Sequence, residues 1–420
     1  MKLTTDTKKK IRELILNIGG IALFNMIIQF VVYPYISGDL IKIHGETVGK
    51  ELWGNALTLI SFVGITAVPL GSAANASRTV NERKLQPANG DYNLLLLIGS
   101  ALFCAIGEVL LYFLNLLTPL NAAFCSLLVF FSVLRYYSDA DYKINGTFGK
   151  FFLFYLSLSI GYLAGILLYL LTKNWILALS VAELFAVVFA IFTTKLYQNP
   201  LKTSEAFSVV AKSLLFLLLS EIFENLTLHS DLLLRAFTGG TEVSVYYTAA
   251  LLGKIVALLT APISALLISY LVRYDGTLSK KLWSIFALVG VSGGAIIFGG
   301  CLLGSHLFIP LFYPEYFKAT LPILIPAIAS QIFYFVSRVL LVVLLRFYGE
   351  KKQFVFNLCY AVEFFTLVTL GVHFFGLKGF VYAGLIANAL RFFAVVLWGF
   401  IATRKQPNPP KTETAETEQE

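Results

Sequence analysis

The chain has 420 residues, of which 58% are hydrophobic and 13% are charged, and its mean hydropathy is +0.78. Soluble domains carry much more charge, so this composition excludes a soluble enzyme and predicts an integral membrane protein. The net charge of +8 is explained below by membrane topology, and no nucleic-acid partner is expected.

Apolar stretches of about 20 residues, each long enough to cross a bilayer as a helix, recur along nearly the whole chain. Helices are expected because the stretches lack the alternation of apolar and polar residues that marks barrel strands. The longest outer connection is predicted at Ile36–Leu52. The twelve predicted spans are Leu14–Tyr35, Trp53–Ala76, Tyr92–Leu114, Leu120–Tyr136, Phe151–Leu171, Trp175–Leu196, Ser213–Phe237, Val245–Val272, Leu282–Phe308, Ala319–Leu345, Phe354–Phe375 and Phe380–Ala402.

Cations are distributed unevenly between the two sides of the membrane. If the connections alternate sides, most of the 32 lysines and arginines fall on the side that holds both termini. Cytoplasmic loops carry the excess of positive charge, so the sequence predicts a multi-pass plasma-membrane protein with cytoplasmic N- and C-termini. The opposite side receives only Lys42, Lys50, Lys173, Arg235, Lys318 and Lys378.

The spans divide evenly around a polar linker, YQNPLKTSEAF. We therefore predict two six-helix bundles, 1–200 and 201–405, followed by a disordered cytoplasmic tail at 406–420. An even number of spans per half means a parallel pseudo-repeat, which is the architecture of a transporter that works by alternating access. The second and eighth spans share an aromatic residue, an alanine and a proline at equal spacing: Trp53, Ala56 and Pro69 against Tyr246, Ala249 and Pro262.

The seventh span contains residues at steps of three or four that we expect to share one helical face, namely Glu221, Glu224, Leu228, Asp231 and Arg235. Asp231 and Arg235 are four residues apart, which predicts a structural salt bridge near the outer end. Glu221 and Glu224 have no cation at pairing distance on their own helix. They are candidates for proton or sodium coupling, as is Glu363, and the alternative is that they pack against basic residues of other helices.

Three basic residues lie inside the eighth, tenth and twelfth spans, each in a polar stripe of its helix. If the stripes converge, they form a cationic pocket suited to phosphate oxygens. The alternative is mutual neutralisation with the glutamates. Asn25 in the first span is a weaker candidate for the same cavity. The predicted cavity residues are Lys254 with Tyr247, Arg338 with Gln331, Arg391 with Asn388, and Asn25.

Nothing in the sequence indicates catalysis. The loops are short, the four cysteines fall inside spans, and no residue spacing indicates a metal or cofactor site, so none is predicted. A membrane-bound polymerase or glycosyltransferase is the least supported alternative, because such enzymes need a sizeable loop or an acidic motif at a loop.

Residues 229–254, HSDLLLRAFTGGTEVSVYYTAALLGK, place an acid late in one span, a glycine-bearing turn, and a tyrosine with alanines at the start of the next. This passage resembles polysaccharide exporters of the O-antigen flippase type, in the multidrug/oligosaccharidyl-lipid/polysaccharide (MOP) superfamily. Further agreement comes from the YPY triplet closing the first span, Arg78 closing the second, and PLFYPEYFKATLPILI before the tenth.

The resemblance implies a flippase that translocates a polyprenyl-diphosphate-linked oligosaccharide during surface polysaccharide biosynthesis. Its partners would be the lipid-linked glycan, the bilayer and, in the same process, a polymerase and glycosyltransferases. The alternative on the same fold is a cation-coupled multidrug exporter. Two departures matter: the first span has no ionisable residue between Glu13 and Asp39, where drug exporters carry a coupling acid, and lipid II flippases usually have fourteen spans.

Overall fold

The computed structural model describes residues 16, 19–199, 201–258, 260, 263, 267, 278–348 and 350–403, without the side chains of 83, 84 and 345–354. The described residues are almost entirely helical and include no strand. The predicted tail and parts of the first and eighth spans lie outside them. The helices are α1 (Gly19–His44), α2 (Glu46–Leu85), α3 (Asn89–Phe113), α4 (Pro119–Ile144), α5 (Phe148–Thr172), α6 (Trp175–Thr193), α7 (Phe207–Leu228), α8 (Asp231–Phe237), α9 (Gly240–Leu258), α10 (Lys280–Phe312), α11 (Phe317–Tyr348) and α12 (Glu350–Ala402).

Nine helices within the described residues are long and apolar enough to cross a membrane. The group omits α7, which carries three charged residues, and α9, which ends where the described residues stop. It counts α12 once, although α12 contains the eleventh and twelfth predicted spans. These two reverse direction at Gly376, whose φ of +59° favours glycine. Counted in this way, the described helices overlap all twelve predicted spans, the first and the eighth only in part.

The predicted outer connection Ile36–Leu52 is wrong. The first helix continues to His44 and the second begins at Glu46, so Gly45 alone joins them, with a φ of +83°. A side chain is strained in that conformation, which is why a single glycine can reverse the chain here. The two helices approach each other closely beside this turn: a Cβ atom at Gly49 would lie 2.4 Å from the Ile41 Cα atom.

The predicted seventh span is also interrupted. It stops at Leu228, passes through His229 and Ser230, and resumes as α8 at Asp231. The prediction that Glu221 through Arg235 share one helical face is therefore wrong, because the helix is not continuous at His229 and Ser230. The His229 ring fills a notch in α2, where a Cβ atom at Gly64 would lie 2.4 Å from Nε2.

Burial separates central helices from lipid-facing ones. In the most apolar window of α2 and of α11, 78% of the residues are buried, compared with 17% in α10. The exposed leucines and isoleucines of α10 are consistent with contact to lipid tails. At one end of α2, Gly54 touches the start of α9 so closely that a Cβ atom would lie 1.8 Å from the Gly240 carbonyl oxygen. Small residues thus allow the two halves of the chain to pack closely.

Candidate functional site

Lys254 of α9 forms a buried ion pair with Asp231 at the start of α8. Its Nζ atom lies 2.7 Å and 2.6 Å from the two carboxylate oxygens, and the side chains are 13% and 1% exposed. Ser61 of α2 donates a hydrogen bond of 3.3 Å to the same carboxylate. The ammonium group also lies 5.2 Å and 5.1 Å from the ring centroids of Tyr246 and Tyr247. The pair lies within the second half of the sequence, and the hydrogen bond from Ser61 connects it to the first half.

The predicted salt bridge between Asp231 and Arg235 is wrong. Arg235 instead lies 3.2 Å from the Glu51 carboxylate and donates a hydrogen bond of 3.0 Å to the Asn55 side chain. The sequence spacing suggested a pair within one helix. The break before α8 places Asp231 against Lys254 instead, and α2 supplies the carboxylate for Arg235.

Glu224 and Arg338 form a second intramembrane ion pair, with 2.5 Å between Oε1 and Nε. This agrees with the alternative that the acidic residues pack against cations of other helices. Glu221, one turn earlier, accepts a weak 3.5 Å hydrogen bond from the Asn225 amide. Among the described residues, no cation lies within 4 Å of its carboxylate. One arginine therefore faces two acids, and Glu221 is the unpaired member.

Arg391 is the least compensated of the three predicted basic residues. It is 2% exposed, and its guanidinium lies 4.2 Å from the Tyr360 ring centroid and 4.9 Å from that of Tyr334. It donates one long hydrogen bond of 3.5 Å to Asn357, and its Nε atom has no hydrogen-bond partner. Within the part of the chain that the structure describes, no carboxylate lies within 4 Å of it.

A polar cavity opens beside the break after α7. The cavity is small: its volume is about 10 Å³, which is close to the room that a single water molecule needs. Gln331 donates a 3.4 Å hydrogen bond to the Tyr246 hydroxyl, and Asn388 donates one of 2.9 Å to Ser330. The Tyr360 hydroxyl donates one of 2.6 Å to Asn388. The polar lining residues are Thr227, Ser230, Tyr246, Ser330, Gln331, Tyr334 and Asn388.

This cavity contains only part of the predicted site. Gln331 and Asn388 line it, whereas Lys254, Arg338 and Arg391 do not. Each cation instead lies behind the cavity lining, in contact with a carboxylate or with tyrosine rings. A charge in a membrane core needs such a partner. The prediction that the three cations jointly form the pocket surface is therefore wrong in this conformation.

The remaining predicted residues lie elsewhere. Tyr247 donates a short hydrogen bond to Gln29 of α1, and Asn25 donates to the Ile21 carbonyl of its own helix at 2.9 Å. Gln29 stands in a π-helical turn at Ile28–Val32, a local distortion that often accompanies function. Glu363 has one buried carboxylate oxygen without a hydrogen-bond partner.

Sequence reasoning missed a buried ion pair in the first half. Arg135 of α4, which we counted as a cytoplasmic cation, lies 2.6 Å from Glu183 of α6, and Tyr162 donates a 2.8 Å hydrogen bond to Glu183. A signal for it exists. Arg135 follows Pro119 at the same spacing as Arg338 follows Pro322, in the related strings FFSVLR and FYFVSR. Arg135 and Arg338 therefore occupy matching positions in the fourth and tenth predicted spans, as the predicted pseudo-repeat would require.

Contacts between the two halves are dense at the end of α2 that contains Glu51, which we call the Glu51 end. The Glu51 carboxylate accepts a 2.9 Å hydrogen bond from the Thr241 backbone amide. Lys50 donates one of 2.8 Å to the Glu315 carbonyl. With the contact of Gly54 against Gly240, these interactions close the Glu51 end, which is the outer end in the predicted topology.

Solved structures with the same fold are transporters. The chain is similar to an inward-facing multidrug resistance transporter of the MATE family in the MOP superfamily, with 13% identity, a TM-score of 0.63, and coverage of 91% of this chain and 96% of that one. It is similar to the MATE transporter VcmN of Vibrio cholerae in its bent form, with 14% identity, a TM-score of 0.62, and coverage of 96% and 98%.

An outward-facing MATE transporter gives 18% identity and a TM-score of 0.61, with coverage of 94% of this chain and 97% of that one. No protein-family model and no curated protein matches the sequence. The fold is therefore the all-helical membrane fold of the MATE transporters, as the sequence predicted.

Proposed function

We propose that the protein is a transporter that works by alternating access, in which bundles 1–200 and 201–405 move against each other around charges at their junction. The observation that carries this proposal is the Lys254–Asp231 pair, which is buried inside the membrane and capped by Ser61 of the other half. Ionisable residues inside membrane-spanning helices are costly and rare, and they commonly mark substrate or ion pathways. The dense contacts at the Glu51 end fit one closed state of such a cycle.

Of the two candidate functions, a cation-coupled multidrug exporter has more support than a flippase. The similar structures are described as multidrug transporters. Asp231 neutralises Lys254 and Glu224 neutralises Arg338, so the interior is less cationic than the sequence alone suggests. The unpaired Glu221 would then hold the coupling proton or sodium ion, since the first span has no acid for that role.

A flippase for a polyprenyl-diphosphate-linked oligosaccharide is the second candidate. It would lie in the plasma membrane and act in the same process as a polymerase and glycosyltransferases. One observation favours it. The cavity beside α7 presents amides and hydroxyls of Gln331, Asn388 and Ser330 next to aromatic rings, which is the chemistry that binds sugars. Arg391 would then serve the diphosphate.

Reconstituted proteoliposomes test the exporter. The full chain should accumulate or release a fluorescent organic cation when a proton or sodium gradient is imposed, and Glu221→Gln should lose most of this activity. Glu205→Gln, which removes an exposed loop carboxylate, is the matched control and should transport normally. Equal transport by the Glu221→Gln variant and the wild type would refute the coupling role.

The same vesicles test the flippase. A fluorescent polyprenyl-diphosphate sugar in the inner leaflet should become accessible to an impermeant quencher only when the protein is present. Gln331→Leu and Asn388→Leu should each slow this movement, since an unpaired polar group of the sugar would face an apolar side chain. If the lipid moves no faster than in protein-free vesicles while organic cations are carried, the exporter is retained and the flippase is rejected.

A further inference from the structure

The linker between α6 and α7 is attached to the start of α3. Asp91 is fully buried, and its carboxylate accepts hydrogen bonds of 2.7 Å from the Ser204 backbone amide and 2.6 Å from the Ser204 hydroxyl. The Lys202 carbonyl accepts one of 3.0 Å from the Gly90 amide. The two backbones are so close here that a Cβ atom at Gly90 would lie 2.4 Å from that carbonyl oxygen. Hydrogen bonds to a carboxylate are roughly twice as strong as neutral ones, so this end of the linker is held firmly.

The same helix end also holds the earlier part of the linker. The Asn89 side chain donates hydrogen bonds of 2.8 Å and 2.6 Å to the carbonyls of Lys195 and Gln198. Asn93 donates one of 3.2 Å to the carbonyl of Leu196, which is itself buried. All of these donors belong to the first half of the chain. The described residues of the linker therefore form part of the first half and are not a loose tether between the halves.

The helix that follows this attachment is only lightly packed. Of the 22 residues of α7, Val210, Leu214 and Thr227 alone are buried. The helix begins three residues after Ser204 and ends at the interruption before α8, so both of its ends are discontinuities. Segments with few buried contacts move at low cost in free energy. The first element that can move against the first half is therefore α7.

Ser213 of α7 contacts the end of α2 opposite the Glu51 end, which is the inner end in the predicted topology. Its hydroxyl accepts a 3.2 Å hydrogen bond from Ser77 and a 3.5 Å hydrogen bond from the Asn81 amide. Among the described residues, these are the only hydrogen bonds from the inner end of α2 to the second half. This end of α2 is fixed to α4, to which Arg78 donates a 2.7 Å hydrogen bond. Long neutral hydrogen bonds are weaker than the ionic contacts of the Glu51 end.

We propose that the two halves move about a hinge directly after Ser204, so that the linker travels with the first half. The gate at the inner end of α2 is then formed by Ser77, Asn81 and Ser213. Opening it moves α7, and with α7 the coupling candidate Glu221. The boundary between the moving parts falls after Ser204 and not at residue 200. The proposal deepens the proposed alternating access and rests on it, but hinge and gate can also be tested without transport.

Limited trypsin digestion of the purified full chain in detergent tests the hinge. The Lys202 side chain is exposed, but its backbone is bound to Gly90, so cleavage after it should be slow in the wild type. Asp91→Asn removes the charge that holds Ser204, and cleavage should quicken on the order of tenfold. Asp39→Asn, which removes a carboxylate at the opposite side, is the matched control and should leave the rate unchanged.

A second variant covers the case in which Asp91→Asn does not fold. Ser204→Ala removes the hydroxyl and keeps the backbone amide, so cleavage after Lys202 should quicken several-fold. The hinge is overturned if the folded variants are cleaved there no faster than the wild type.

A cysteine pair, Ser77→Cys with Ser213→Cys, tests the gate in a chain without its native cysteines. The two hydroxyl oxygens are 3.2 Å apart, so thiols in their places should form a disulfide on oxidation. In the vesicle assays the disulfide should stop transport, and a reducing agent should restore it. Each single-cysteine variant is the control and should not respond to the oxidant. Full transport by the cross-linked chain would overturn the gate.

Thiol labelling in detergent tests the gate without transport. A maleimide should label Ser213→Cys several-fold faster when Asn81→Ala is added, since one bond that closes the gate is lost. Val209→Ala, on an exposed position of α7, is the control and should leave labelling unchanged. An unchanged rate with Asn81→Ala would overturn the gate. If labelling and proteolysis respond as expected but no substrate is carried, the hinge and gate are retained and the proposed function fails.

Discussion

Arg135 and Arg338 occupy equivalent places in the two halves, yet their surroundings differ. Arg135 and its partner Glu183 are 7% and 3% exposed, and Tyr162 adds a hydrogen bond to the glutamate. Arg338 and Glu224 are 22% and 18% exposed. The same arginine position therefore forms a closed structural pair in the first half and an accessible pair in the second.

The second half also contains what the first half lacks near its pair. Among the residues that the structure describes, Glu221 is a second acid without a cation within 4 Å, Arg391 is a cation without a carboxylate within 4 Å, and a small polar cavity lies beside the interruption after α7. Unbalanced charges are costly in a membrane core, so they are kept mainly where function uses them. From this comparison we expect the residues that take part in transport to lie mainly in the second half, while the buried pair of the first half is structural.

The largest expected effect is in the first half. Glu183→Gln leaves the Arg135 guanidinium buried without a counter-ion, and this should lower the free energy of unfolding by about 3–5 kcal/mol. Thermal or denaturant unfolding in detergent measures it. The double variant Arg135→Met with Glu183→Leu should regain most of the loss, because neither charge is then left alone. A change below about 1 kcal/mol for Glu183→Gln would remove the distinction between the halves.

The junction pair should show an intermediate effect. Asp231→Asn removes the negative charge beside Lys254 and keeps only an amide oxygen as acceptor, and we expect a loss of about 2 kcal/mol together with loss of transport. Adding Lys254→Gln should restore stability, since no unpaired charge is then buried. Transport should stay lost, because the ion pair between positions 231 and 254 is still absent. A double variant that transports normally would show that this pair is only structural.

Glu224→Gln should cost less than either, roughly 1 kcal/mol, because both members of the pair are partly exposed. The same unfolding assay applies, with Glu183→Gln measured beside it. The comparison between the halves depends on this ordering. A loss as large as that of Glu183→Gln would mean that the Arg338 pair is as closed in solution as the Arg135 pair.

The fold was largely predictable because hydropathy, span length and cation placement each constrain a membrane chain. Charge pairing was not predictable, since it depends on which helices meet and on the interruption after Leu228. No glycine or proline marks that interruption, which lies at His229 and Ser230. Asp231 and Arg235 show the error most clearly: their spacing fits a helical pair, but both find partners on other helices.

The smallest energetic effect concerns the Glu51 end. Glu51 is 38% exposed and Arg235 is 23% exposed, so solvent screens the pair and Glu51→Gln should change the free energy of unfolding by less than about 1 kcal/mol. The same substitution also weakens the bond from the Thr241 amide, which helps to close this end.

In a Ser61→Cys chain without its native cysteines, thiol labelling should therefore quicken several-fold when Glu51→Gln is added. Gly300→Ala, where an added Cβ meets nothing within 4 Å, is the control and should leave labelling unchanged. If labelling of Cys at position 61 is equally slow with and without Glu51→Gln, contacts at this end do not govern access to the Lys254 pair, and the gate must be sought along the rest of α2.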